Sequence, residues 1–176
     1  ALAGFGELST IDDRCSPCNC KDDTLIDCYA DARTLVWTDP YWNGIKSYLP
    51  WELDLKRRRI KAIKPGAFEG MGARLVKLWL YKNRISIIEP ETFAGLSKLH
   101  EVELSGNKIQ IVKSNAFLGM HRLRILDLSK NRITRIEDGA FAGLDRLQWL
   151  ELDGNPVITC ADARAAGLPE SVSRRD

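Results

Sequence analysis

LVKLWLYKNRISIIEPETFAGLSK (residues 75–98), LHEVELSGNKIQIVKSNAFLGMHR (99–122) and LRILDLSKNRITRIEDGAFAGLDR (123–146) are one 24-residue pattern written three times. LQWLELDGNPVITC (147–160) begins it once more. The opening leucines, Leu75, Leu99, Leu123 and Leu147, keep the spacing without drift. A degenerate unit, PWELDLKRRRIKAIKPGAFEGMGAR (50–74), precedes them, one residue longer and without the asparagine. A fixed period of this size builds a coil with one unit per turn, because a single turn cannot bury its own apolar face. Five such units are read over residues 50–160.

The period assigns each column a task. Leu53/Leu55, Leu78/Leu80, Val102/Leu104, Leu126/Leu128 and Leu150/Leu152 alternate with outward positions, as a short strand requires. They point into the coil, with Ile60, Ile85, Ile109, Ile133 and Val157 further round each turn. Asn83, Asn107, Asn131 and Asn155 form a column whose amides both donate to and accept from turn backbones of their own and neighbouring units. Phe68, Phe93, Phe117 and Phe141 form another, expected to stack as a convex spine, and Gly70, Gly95, Gly119 and Gly143 mark a tight bend. The run L-x-x-L-x-L-x-x-N at this period resembles the leucine-rich repeat. The expected fold is an α/β-type solenoid: a right-handed coil with a short parallel β-sheet on its concave face.

Before the repeats, residues 1–14 lack periodicity and read as an extended lead-in. CSPCNCKDDTLIDC follows, with Cys15, Cys18, Cys20 and Cys28. Four cysteines allow three connectivities. Zinc is the rival, since C-x-x-C is a common half-site, but a second such pair is missing and Cys20 crowds Cys18. With the repeats behind it, this run resembles the amino-terminal cysteine cap of extracellular leucine-rich repeat proteins. Toll-like receptor ectodomains, small leucine-rich proteoglycans and variable lymphocyte receptors share that build, and the resemblance covers residues 15–160. It implies bridges Cys15–Cys20 and Cys18–Cys28, an oxidising compartment and a recognition role. Secretion fits best, with an organelle lumen (such as the thylakoid lumen) or a periplasm as alternatives. No N-x-S/T sequon occurs. The chain lacks an initiator methionine, and Ala1-Leu2-Ala3 has the small-x-small look of a cleavage region.

The link from cap to repeats departs from the resemblance, being swollen with Tyr29, Trp37, Tyr41, Trp42, Tyr48 and Trp51. These rings either cover the open end of the solenoid or protrude as a docking knob. A basic strip follows: Lys56, Arg57 and Arg59, then in register Lys82, Arg84, Lys108, Lys130 and Arg132. It suits a polyanion such as a sulfated glycan, an anionic lipid or a nucleic-acid backbone, unless it is a solvated flank with acids one strip away. Arg58 stands in the asparagine column, so that rung is lost in the first unit.

Enzyme chemistry finds no support, and neither a metal nor a cofactor is expected. His100-Glu101 lacks the second histidine of a zinc-protease helix, His121 lies between units, and no phosphate loop or nucleophile elbow occurs. Asp54, Glu103, Asp127 and Glu151 line the concave sheet, but a column on an open sheet has no pocket that excludes water. Trp79, Tyr81, Ile125 and Trp149 are large outward groups the repeat does not need. Either they pack on each other or a partner covers them. Cys160 occupies a core slot and is read as unpaired, while residues 161–176 form a short lid and tail. No apolar run reaches the roughly 18 residues of a membrane span. The expectation is a non-enzymatic protein-binding module using the concave face (Trp79, Tyr81, Glu103, Ile125, Asp127, Trp149, Glu151) or the basic flank. The alternative is a structural accessory subunit of a larger assembly, docked through its aromatic cap.

Overall fold

The computed structural model describes residues 18–21, 25–28, 34–35, 51–68, 70–156, 164, 166–168 and 172, with backbone pairing alone before residue 51. Its concave strands are β4 (Glu52–Asp54), β6 (Lys77–Trp79), β8 (Glu101–Glu103), β10 (Ile125–Asp127) and β12 (Trp149–Glu151). Each carries one buried central residue, Leu53, Leu78, Val102, Leu126 or Leu150. They pair in parallel with no register slip, so column neighbours in sequence are column neighbours in space. A one-residue slip would turn every leucine out to water, which is why the apolar alternation holds the register.

The sheet has seven strands, because β1 (Cys18–Lys21) and β2 (Leu25–Cys28) add an antiparallel hairpin to its first edge. Leu25, Ile26 and Asp27 lie opposite Glu52, Leu53 and Asp54, so the hairpin continues the concave sheet in phase. A second set of two-residue strands runs round the far side: β7 (Ile87–Ile88), β9 (Ile111–Val112) and β11 (Arg135–Ile136) in one sheet. β3 (Thr34–Leu35) pairs with β5 (Ala62–Ile63) in another. The remaining arc of each unit is a series of turns. Among the described residues the named elements are strands, and turns make up the rest of each unit.

Two ladders hold the turns at a common pitch. Phe68, Phe93, Phe117 and Phe141 stack with centroid separations of 5.9, 5.6 and 5.9 Å, each ring at most 1 % exposed. The second is the asparagine column. Asn107 Nδ2 donates to the carbonyls of Leu80 (3.0 Å) and Leu104 (2.9 Å), one in each of two units, and its Oδ1 accepts from Ile85 N (3.1 Å). Asn83 makes the same rung to the first unit, its Oδ1 accepting from Ile60 N (3.1 Å), and accepts from Arg58 N (2.8 Å) as well.

The bend at Gly70, Gly95, Gly119 and Gly143 is left-handed, with φ between 81 and 90°. At the other end Ala166 is buried, its carbonyl accepts from Phe141 N (2.9 Å), and Leu168 and Val172 pack against the core. Ala166, Leu168 and Val172 thus lie against the core, while Cys160 and Val157 lie outside the described residues. So do Cys15 and the rings of the link up to Tyr48. Trp51 is described and is 43 % exposed.

Candidate functional site

The concave strands present two outward rows. One is Glu52, Lys77, Glu101, Ile125 and Trp149; the other is Asp54, Trp79, Glu103, Asp127 and Glu151. The register sets Ile125 directly beside Trp149 and Trp79 directly beside Glu103. The apolar groups thus form two patches, Trp79 and Ile125/Trp149, separated by the acidic strand β8. Ile125 is 39 % exposed, while Trp79, Tyr81 and Trp149 are partly buried. Tyr81 does not share the strand with Trp79: β6 ends at Trp79, and Tyr81 sits in the turn that follows.

Several of these groups already have partners. Lys77 Nζ pairs with Glu52 (3.0 Å) and lies 5.8 Å from the Trp79 ring centroid, so the indole carries a cation on its face. The hydrogen bond to Glu52 holds the Lys77 ammonium above its ordinary pKa. Asp127 Oδ1 accepts from Ser129 N (2.7 Å), and Asp54 Oδ1 accepts from Lys56 N (3.0 Å). Both carboxylates close the turn after their strand, a job that an acid two residues ahead of a turn amide does in Asx-type turns. Lys56 is also ion-paired to Asp54, which draws it from the basic flank to the concave edge.

Burial raises the Glu103 pKa, helped by Asp127 beside it, while the Ser105 hydroxyl bonded to it works the other way. Glu151 is raised in the same sense by burial and then by Asp153, opposed by a hydrogen bond from Trp149. Folded Glu103 therefore keeps its proton to a higher pH than the unfolded chain does. Its contribution is most favourable at acidic pH and is lost as pH rises through its raised pKa. Glu103→Gln should consequently raise the melting temperature near neutrality and have no such effect below pH ~4, where the carboxyl is protonated in both states. Parallel thermal melts of the two proteins across pH check this; a gain that persists at low pH would assign the effect to packing.

The basic flank has a backbone cause that the sequence did not reveal. Arg57, Lys82, Gly106, Lys130 and Gly154 occupy one column and share left-handed φ angles of 57, 56, 65, 52 and 72°. Two columns on, Arg59, Arg84, Lys108 and Arg132 are all exposed. A further cationic column went unread: Arg74, Lys98, Arg122 and Arg146 each stand one residue before a repeat's opening leucine, and all are exposed. Arg124, Arg122 and Arg146 lie close enough to His100 to add to the effect of its burial, and together these lower its pKa. The other histidine, His121, stands 3.6 Å from Asp145 across one turn. Among the described residues no cluster of three or more His, Cys, Asp or Glu could hold a metal ion, and no helix is long and apolar enough to cross a membrane.

An in-phase parallel solenoid with an asparagine ladder and a phenylalanine spine defines a repeat scaffold that displays side chains on an open sheet. The leucine rich repeat family model matches residues 52–109 and 97–157, and the chain belongs to that family. Reticulon-4 receptor-like 2 of Homo sapiens is 32% identical over 83 residues, which are 46% of this chain and 19% of the relative; the Rattus norvegicus protein matches equally. This chain thus spans about a fifth of the length of those relatives. Among solved structures, that of the TLR13–ssRNA13 complex superposes with a TM-score of 0.72 at 29% identity, over 85% of this chain and 21% of the other. The LRIM1/APL1C complex gives 0.61 at 26% identity, over 72% of this chain and 23% of the other.

Proposed function

We propose that the concave sheet is a recognition surface for a protein segment carrying basic side chains around an apolar group. The observation that carries this is the composition of the two outward rows. Large apolar side chains that the coil does not need stand beside carboxylates, and burial, with Asp127 beside it, raises the Glu103 pKa. A guanidinium or ammonium arriving at Glu103 and Asp127 relieves that crowding, and the indole and isoleucine surfaces supply the anchors found at interface centres. The acidity of the same rows disfavours a nucleic-acid strand on this face.

Kinship supports a recognition role. Reticulon-4 receptor-like 2 is a receptor-like protein by name, and the two solved neighbours are complexes. An oxidising compartment belongs to the same reading. Cys18 and Cys28 are register partners in the β1–β2 hairpin, and directly opposed antiparallel residues lie within the Cα range that a disulfide closes. The Cys15–Cys20 bridge completes the proposed cap.

Trp79→Ala, Tyr81→Ala and Trp149→Ala should each weaken binding of the protein partner by more than about 1 kcal/mol. Lys82→Ala and Arg132→Ala on the flank should not. Isothermal titration with each variant, alongside melting curves to show intact folding, is the check. Loss confined to the flank variants would move the protein site off the concave face.

A further inference from the structure

The concave reading leaves the basic flank without a task, and its charges are neutralised neither from within the strip nor by ion pairs. Residues 57–61, 82–86, 106–110 and 130–134, which make up the flank of four successive turns, contain no carboxylate. Among the described residues none of Arg59, Lys82, Arg84, Lys108, Lys130 and Arg132 is ion-paired. All six are exposed.

Their arrangement is a rail. The backbones of Arg84, Lys108 and Arg132 each donate to a carbonyl of the preceding turn, to Ile60 (2.7 Å), Ile85 (2.9 Å) and Ile109 (2.9 Å). With Arg59 this makes one row, one cation per turn, at the roughly 4.8 Å pitch of the sheet and about 14 Å long. Lys82 and Lys130 form a second row beside it on alternate turns, with Gly106 between them and Gly154 after Lys130. A Cβ on Gly106 would meet Lys82 Cγ at 3.4 Å, and one on Gly154 would meet Lys130 Cγ at 3.3 Å. The glycines leave room for the lysine stems to lie over the next turn. In this column the backbone is left-handed throughout, a conformation strained for any residue but glycine, yet Arg57, Lys82 and Lys130 stand where glycine is the unstrained choice.

We propose that this flank binds a linear sulfated polysaccharide lying along the solenoid axis, with its sulfates on the row Arg59, Arg84, Lys108 and Arg132. A straight row of unpaired cations on a rigid edge fits a charge-dense chain in extended form. Single-stranded nucleic acid is the poorer occupant, because its binding sites pair the basic track with aromatic platforms for the bases, and the four flank segments contain no aromatic residue. A membrane surface is poorer too, since the same segments expose no large apolar group to insert.

The test measures binding of heparin dodecasaccharide to the whole chain between roughly 0.05 and 0.5 M salt, about one decade of concentration. The variant is Arg59→Ala/Arg84→Ala/Lys108→Ala/Arg132→Ala. The control, Arg74→Ala/Lys98→Ala/Arg122→Ala/Arg146→Ala, removes the same charge from the other edge. The flank variant should bind roughly tenfold or more weakly, with the slope of log affinity against log salt reduced by roughly three, because each lost contact no longer releases counterions. The control should change affinity by less than about threefold. Arg84→Gln/Lys108→Gln/Arg132→Gln removes the charge but keeps a polar end on an aliphatic stem and spares the left-handed Arg59; with an unchanged melting curve, its weaker binding is a loss of charge and not of fold. Equal losses from both edges, or tighter flank-dependent binding of oligo(dT) or phosphatidylserine vesicles than of heparin, would overturn the proposal.

Discussion

Asn131→Ala is expected to destabilise the fold by about 3–5 kcal/mol, several times the cost of an average substitution. The amide is 5 % exposed. Its Oδ1 accepts from Ile109 N (3.1 Å), and its Nδ2 donates to the carbonyls of Leu104 and Leu128, both at 3.0 Å. Alanine removes every one of these bonds and strands the backbone groups where water does not reach, at roughly 1–3 kcal/mol for each group left unsatisfied. The two carbonyls belong to neighbouring units, so the loss also weakens the interface between turns on which a solenoid's stability rests. Asn155 makes the same pattern of bonds to Ile133, Leu128 and Leu152 but is only partly buried. Asn155→Ala should cost only about 1–2 kcal/mol, because water can replace part of what is lost. Urea unfolding of both variants measures the difference, and equal costs would show that the ladder's contribution does not come from burial.

Gly72→Ala is the second large effect expected, a loss of about 3 kcal/mol or more. An added Cβ would sit 1.6 Å from the Gly95 carbonyl oxygen and 2.7 Å from its carbon. Both atoms are backbone, so no side chain can swing aside, and the first two turns must separate to admit a single methyl group. Overpacking that moves backbone costs about 1–3 kcal/mol and sometimes more. The Gly95 oxygen also accepts from Ser97 N (2.9 Å), a bond the displacement would disturb. Gly66→Ala makes the comparison fair: its φ is +77°, but open space surrounds the added carbon. It should cost only the left-handed strain, about 1–2 kcal/mol. The ranking of the two midpoints in urea checks this.

What the sequence made legible follows from what repeats. The buried leucines, the asparagine column and the phenylalanine spine recur every 24 residues and are each used identically, so one reading covered all of them. Features carried by a single unit were hidden. Gly72 belongs to the extra residue of the first unit, and nothing in its neighbours announces the backbone of Gly95 above it. Left-handed backbone was visible at Gly106 and Gly154 but masked at Arg57, Lys82 and Lys130, whose side chains read only as charge. Alternation does not show where a strand stops: β6 ends at Trp79, one residue before the apolar pattern ends at Leu80, which leaves Tyr81 in the turn. One oxygen of Asp127 accepts from Ser129 N, a contact set by turn geometry that the strand's alternation does not announce. The concave candidates remained the least legible, since a side chain turned to solvent leaves no periodic trace of what it meets.

The central claim is that the concave sheet is where a protein partner docks, and two exposed aliphatic positions on opposite faces test it most directly. Ile125 is 39 % exposed on the concave strand β10, and Leu118 is 40 % exposed on the turn arc across the coil. A photoreactive benzoylphenylalanine placed at each in turn, in otherwise identical protein incubated with the same purified partner, reads out which face is covered. The account predicts a covalent adduct from position 125, abolished by Trp149→Ala beside it, and none from position 118. An adduct from position 118 with none from 125 would contradict it.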